Sequence, residues 1–502
     1  KSYLVYFMSE ALAQEKINTL LTIFSNGKFE EALASSIKLI KKYPDESILF
    51  NIQGACYAGL ENFKDAIESY EMAIALRPDY AKAHYNLAGC FHEIGDLNAS
   101  LVSYKTALKL EPENEAFLNN LGNLYQDLKE HDKAIECYKK ATIIKPDYVE
   151  AHYSHGNSLQ DQGNLKEAIK YYVKVLQLNP SIFGLHNNLG NIYREIGNHE
   201  KAIESYEEAI NINPEFAEAF FNLGITYSEI GNHDNAIESY KLAINIKSDY
   251  VEAHNNLGIA FKEIGQLEKA IISFEKSLQF RPNYVEAINN YGVALKEIGK
   301  LEEALEAHKK ALKINPDSFE DLNNLGVVNM EMGNFDEALK NYEEAIGLNP
   351  DYIQALNNLG SVQKDLGKLD SAIISFEKAL LIEPEYVEAL NNLGIVYKEL
   401  GDFESAIKSY EKAISIDSDY VFALNNLGVV LNDCGDFESS SYYLDKAIKL
   451  KPDYFEALSN YGNLMFDMGN LDMALDHYQK AFKYNPNFEK IIGDIIHTQM
   501  YL

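Results

Sequence analysis

Every proline in this chain falls in one phase of a 34-residue period. The twelve run from Pro44 to Pro486, and each gap is 34 residues, or 68 where Ser248 or Ser418 takes the vacant place. The 502 residues therefore hold fourteen units, from 13–46 to 455–488, with no insertion. A fixed period of this length means stacked supersecondary units. It overrides the expectation of about three globular domains that length alone would give.

Numbering each unit from 1 to 34 puts this proline at place 32. Glycine recurs at place 8 (Gly122, Gly190, Gly258) and at place 15 (Gly95, Gly197, Gly299). The first has no side chain, so two helices can approach closely. The second suits the left-handed residue that ends a helix. Alanine at places 20 and 27 and an aromatic at place 24 (Tyr70, Tyr138, Phe274) complete the packing code. Proline at 32 closes a second helix. Each unit reads as helix, tight turn, helix, here called helix A and helix B. Neither helix can bury its apolar stripe alone, so the units must stack. The expectation is an all-α solenoid with a segment 1–12 capping the front, repeats over 13–488, and a capping or linker helix over 489–502. No period-2 strand pattern appears.

Composition narrows the function. With 45 basic and 76 acidic side chains the net charge is −31. A basic footprint for nucleic acid is therefore missing, and anionic membrane surfaces are disfavoured too. No apolar run approaches the roughly 20 residues of a membrane span. Cys56, Cys90, Cys137 and Cys434 are far apart and form no CxxC. They read as small core residues in a reducing, cytoplasmic compartment rather than a disulfide framework. Phosphate-binding loops, nucleophile elbows and dinucleotide fingerprints are absent. His152 and His155 are spaced HxxH, but no nearby ligand set completes a zinc site. His84, His152, His186 and His254 share place 4, a core place. The chain is thus expected to have no cofactor, no metal and no catalysis of its own.

Helical spacing divides helix A into two stripes. Places 4, 7, 8 and 11 are apolar or small and form the core side. Places 2, 6, 9 and 13 form a second stripe, open to a ligand. From unit 3 onward place 6 carries eleven asparagines: Asn86, Asn120, Asn188, Asn222, Asn256, Asn290, Asn324, Asn358, Asn392, Asn426 and Asn460. Ile52 and Ser154 interrupt the series. A side-chain amide both donates and accepts, so a ladder of amides can hold a peptide backbone whatever its side chains. The competing reading is that these amides pack neighbouring helices. Place 13 is acidic in twelve units, including Glu93, Asp127, Glu263 and Asp433. Acid at a helix C-terminus opposes the helix dipole, so it is either an acidic rail for cationic partners or a solvated face softened by lysine at place 12. Place 9 is Asn123, Asn157 and Asn191 early and mostly aliphatic later, which reads as groove lining or as packing.

Small residues at 8, 20 and 27, an aromatic at 24 and proline at 32 resemble the tetratricopeptide repeat, over residues 13–488. The resemblance implies a right-handed superhelix of fourteen helix-turn-helix repeats, with helix A lining a concave groove that takes a protein or an extended peptide. A homodimer is compatible with it. The clamp by which some such proteins hold chaperone C-termini needs Lys or Arg at places 2 and 5, and here place 5 is mostly asparagine (Asn187, Asn255, Asn323, Asn391).

The strings EAHNNLG (252–258) and EALNNLG (388–394) look more narrowly like repeats of the protein O-GlcNAc transferase family, with its SPINDLY and bacterial relatives. That resemblance implies that the eleven asparagines grip acceptor polypeptides. IIGDIIHTQMYL (491–502) is similar to the helix that leads, in bacterial relatives, into a glycosyltransferase domain. The expected role is the substrate-recruiting region of such an enzyme; the alternative is a free-standing scaffold for complex assembly.

Overall fold

The computed structural model describes residues 2–487 and 489–501, with side chains for 14–487 and 490–501. Among them are 29 α-helices and no strand. From the second unit on, helix A occupies places 1–13 and helix B places 17–30, as in Ser47–Gly59 with Phe63–Leu76 and Phe455–Asp467 with Leu471–Tyr484. In the first unit, helix A extends backwards as Ser2–Ser25. The segment expected to cap the front is therefore helical in backbone; what its side chains do lies outside the described residues. Glu489–Tyr501 continues in helix A phase and packs on the last helix B through Ile491.

The chain forms two compact parts, Lys1–Ile246 and Lys247–Leu502. Within each, a helix packs on its neighbours in sequence, and helix A also touches helix A of adjacent units. Each part is thus an all-α solenoid with a continuous core.

The turn inside a unit follows from glycine at place 15. Gly95, at φ 81°, donates its N–H to the His92 carbonyl and Asp96 donates to the Phe91 carbonyl, each at 2.9 Å. These two bonds satisfy carbonyls that the helix end leaves without partners. Place 16 then caps helix B: the side chains of Asp96, Asp402 and Asp436 accept from the N–H three residues on. Two units lack the glycine. Glu61 and Lys129 stand there with φ 60°, a conformation costly for residues with a Cβ.

Glycine at place 8 and the ring at place 24 are one device. A Cβ on Gly122, Gly190, Gly258, Gly326 or Gly394 would lie 2.5–2.6 Å from the ring at place 24 of the same unit. The ring sits on bare backbone, and Tyr138, Tyr206, Phe274, Phe376 and Tyr410 are fully buried. Alanines at places 20 and 27 (Ala134, Ala141, Ala304, Ala311) are buried beside them. Cys56, Cys90 and Cys137 are core residues as expected, whereas Cys434 is exposed. It follows the last helical residue of its helix A, as the C-cap.

Candidate functional site, an amide ladder between repeats

Within each of the two parts the place-6 asparagines are brought into register, and most are half-buried. Eight of the eleven donate a side-chain N–H to place 5 of the preceding unit. Asn86 donates to Asn51 (3.0 Å), Asn222 to Asn187 (3.0 Å) and Asn290 to Asn255 (3.1 Å). Asn358 donates to Asn323 (2.9 Å), Asn392 to Asn357 (3.0 Å), Asn426 to Asn391 (3.0 Å) and Asn460 to Asn425 (2.9 Å). Asn120 finds the Tyr85 hydroxyl instead. Asn188, exposed, and Asn324 make no such bond. The unit before Asn188 offers Tyr153, and the Asn289 carbonyl that Asn324 could use accepts nothing. Asn256 accepts from its neighbour Asn255 at 3.3 Å.

Sequence reasoning missed the other half of the ladder. Place 5 entered only as a missing cation, yet its asparagines are the acceptors. Their own N–H groups reach place 2 of the next unit: Asn187 donates to Glu218 (3.3 Å) and Asn255 to Glu286 (2.9 Å). The Asn-Asn doublet, read with an offset of one unit plus one residue, was the available signal. Asn18 also stands at place 6, in the first unit, and accepts from Gln14 at 3.2 Å.

A second set of bonds with the same offset gives several of the twelve acids at place 13 a partner. Each joins place 12 of one unit to place 13 of the next: His92 to Asp127 (2.6 Å), Gln126 to Asp161 (3.1 Å), Lys296 to Glu331 (3.3 Å), Lys398 to Asp433 (3.3 Å) and Asn432 to Asp467 (2.7 Å). These carboxylates, unfavourable for their own helix, stitch it to its neighbour. Surface pairs of this kind contribute little singly, but they recur.

Place 9 is tied to place 24. The hydroxyls of Tyr138, Tyr172, Tyr206 and Tyr478 donate to Asn123, Asn157, Asn191 and Asn463 at 2.7–2.8 Å. The early asparagines therefore satisfy buried phenols, whose removal from water would otherwise be unfavourable. The place-4 histidines do more than pack: Nε2 of His84, His152, His186 and His254 lies 3.0 Å from the place-32 carbonyl of the preceding unit. Two other imidazoles are buried, with a lysine near each, Lys139 by His155 and Lys296 by His308. His155 and His308, each 1% exposed, are held down to about 4 by burial and stay neutral at pH 7. Among the described residues, no group of three His, Cys, Asp or Glu side chains could hold a metal ion. No helix there is long and apolar enough to cross a membrane.

Comparison with known proteins agrees with this architecture. Family models described as "TPR repeat" match residues 56–95, 90–129, 190–231, 227–265, 292–333, 330–367 and 364–401. Those described as "Tetratricopeptide repeat" match 116–148, 149–182, 251–284, 387–420, 171–204, 273–306, 423–454 and 455–488. A peroxisomal targeting signal receptor of Candida glabrata is 29% identical over 68 residues, 14% of this chain and 12% of the receptor. This chain thus matches only a small share of that relative's length. Among solved structures, yeast Tom70 is 18% identical, with 84% of this chain and 96% of that one covered and a TM-score of 0.45. A tetratricopeptide repeat protein from Parabacteroides merdae is 20% identical, with 50% and 98% covered and a TM-score of 0.44. With family models spanning the units from residue 56 to residue 488, the chain belongs to the tetratricopeptide-repeat family.

Proposed function

We propose that this tetratricopeptide-repeat protein, a protein-binding scaffold, holds extended polypeptides through their backbone along the helix A stripe of places 2, 6, 9 and 13. One observation carries the reading. In the ladder, one N–H of each bonded amide is fixed by the preceding unit, which sets the direction the amide faces. The second N–H is left over. The oxygens of Asn86, Asn222, Asn290, Asn358, Asn392 and Asn460 accept nothing among the described residues. A pre-oriented donor and acceptor recurring every 34 residues suits a peptide bond, and orientation before binding lowers the entropic cost.

The finer assignment is the substrate-recruiting arm of an O-GlcNAc-transferase-like glycosyltransferase. It rests on the two asparagine strings and on residues 491–502. A free-standing assembly scaffold accounts for the same geometry equally well, and a sugar-nucleotide-binding domain in the same gene product would separate the two. In either case the isolated chain is expected to turn over no sugar nucleotide.

The ladder test compares two sets of substitutions. Replacing Asn290, Asn324, Asn358, Asn392 and Asn426 together by alanine should weaken binding to partners of unrelated sequence. Each lost hydrogen bond is worth about 0.5–1.5 kcal/mol. Replacing the place-5 acceptors Asn255, Asn323, Asn357 and Asn391 removes the same inter-repeat bonds but keeps the place-6 amides. If both sets lower the urea midpoint and neither touches binding, the ladder is packing alone.

A further inference from the structure

One of the cavities along the ladder, of about 390 Å³, is bordered by Asn86 and Asn120. Small residues lie in it, Gly89 and Ala58, and at the equivalent place of the preceding unit, Ala55. Place 9 is Ala55 and Gly89 in units 2 and 3, and place 12 of unit 2 is Ala58. Gly89 has no packing reason to be glycine. A Cβ there would come no nearer than 3.8 Å to any neighbour, the Tyr104 hydroxyl. The place-8 glycines, by contrast, leave no room for one.

Three polar groups facing the cavity lack partners that their equivalents have in several other units. Tyr70 and Tyr104, 2% and 4% exposed, line it. In four other units the equivalent phenol donates to asparagine at place 9; here alanine and glycine offer no acceptor. Glu93 stands at place 13, where other carboxylates receive a donor from place 12 of the preceding unit; Ala58 supplies none. The neighbouring His92 is already paired with Asp127. All three groups can accept, and the carboxylate carries a negative charge in a protein of net charge −31.

We infer that this cavity is a side-chain pocket for a cationic residue, arginine or lysine, of the bound polypeptide, with Glu93 as counter-ion and the Tyr70 and Tyr104 hydroxyls as further acceptors. A guanidinium presents five donors and stacks on aromatic rings, and Tyr85 supplies a third ring beside the cavity. The pocket adds a side-chain preference to a holder that otherwise reads backbone, and so rests on the proposal above.

The test uses short glycine–serine peptides with one central arginine, or citrulline as its neutral counterpart, and fluorescence anisotropy. The full chain should prefer the arginine peptide by about tenfold, the weight of a charged hydrogen bond. Gly89→Asn should put a side chain into the cavity and engage Tyr104 as Asn123 engages Tyr138. Glu93→Gln removes the counter-ion. Both should bring the ratio of the two affinities close to one, whatever their effect on the citrulline peptide itself. Asparagine at place 9 is native to three successive units, and circular dichroism checks the fold of each variant. Equal affinity for the two peptides in the unaltered chain, or a preference surviving in both variants, overturns the pocket; if the five-asparagine variant then still loses binding, the ladder stands without it. If neither peptide binds, the polypeptide reading fails, and N-acetylarginine amide in saturation-transfer NMR decides the pocket separately. A signal lost in Gly89→Asn retains a cation site, and no signal removes it.

Discussion

Asp321 occupies place 3, which is alanine in nine units, and it is fully buried with neither carboxylate oxygen hydrogen-bonded. Burial pushes its carboxyl above the usual range, with nearby Ser318 and Asn289 offsetting part of the effect. The folded state therefore holds this proton more tightly than the unfolded chain does. Its penalty is complete above the folded pKa and disappears as pH falls through it towards the ordinary carboxylate value. Asp321→Ala should stabilise the protein at pH 7 by about 1–3 kcal/mol, with a smaller gain at pH 4, measured by urea unfolding at both. A loss at pH 7 would mean that the carboxylate has a partner. His155 and His308 act with the opposite sign. Held near pKa 4, they oppose folding progressively as pH drops below about 6.5. None of the three could be read as buried orphans from the sequence, because residue type gives a place in the repeat but not what faces it.

The turn after helix A is the element whose chemistry the sequence states most openly. Gly95 and its equivalents mark a left-handed residue, and the helix ends there. Glu61 and Lys129 adopt the same conformation against their preference. Substituting either with glycine should raise stability by about 1 kcal/mol, read as an increase in the thermal midpoint. No change at either site would show that its turn relaxes to another shape at no cost. Helix ends, the ring at place 24 and its seat at place 8 were legible because each lies within one unit, and local spacing reports it. The ladder was half legible. Place 6 was visible as a stripe, but its partner at place 5 lies one unit back, and a helical wheel for one helix cannot show that. The same blindness hid the bonds from place 12 to place 13: lysine at place 12 was legible as softening the acid, but not that Lys296 and Lys398 reach the carboxylate of the next unit. The place-9 asparagines looked like groove lining because the phenol that each satisfies comes from helix B.

For the molecule as a whole, stability should be distributed, since each unit depends on its immediate neighbours. Deleting 353–386, one full unit in the C-terminal part, should leave a shorter and still folded chain. Asn392 would then inherit Asn323 as its acceptor, as Asn358 has it now. Unchanged helicity per residue and a smaller hydrodynamic radius are expected; global collapse would show that the repeats are not interchangeable. Deleting half a unit breaks the phase at one junction and should cost more stability than deleting a whole one. Equal spacing has a consequence for any long guest. A holder with many equivalent rungs offers many equivalent alignments, so a polypeptide could shift by one interval and meet the same amides again. Such binding is degenerate: multiplicity favours occupancy, but no alignment is singled out. One unlike position, such as the gap beside Gly89, would act as an index mark, turning a ruler without a zero into one that has it.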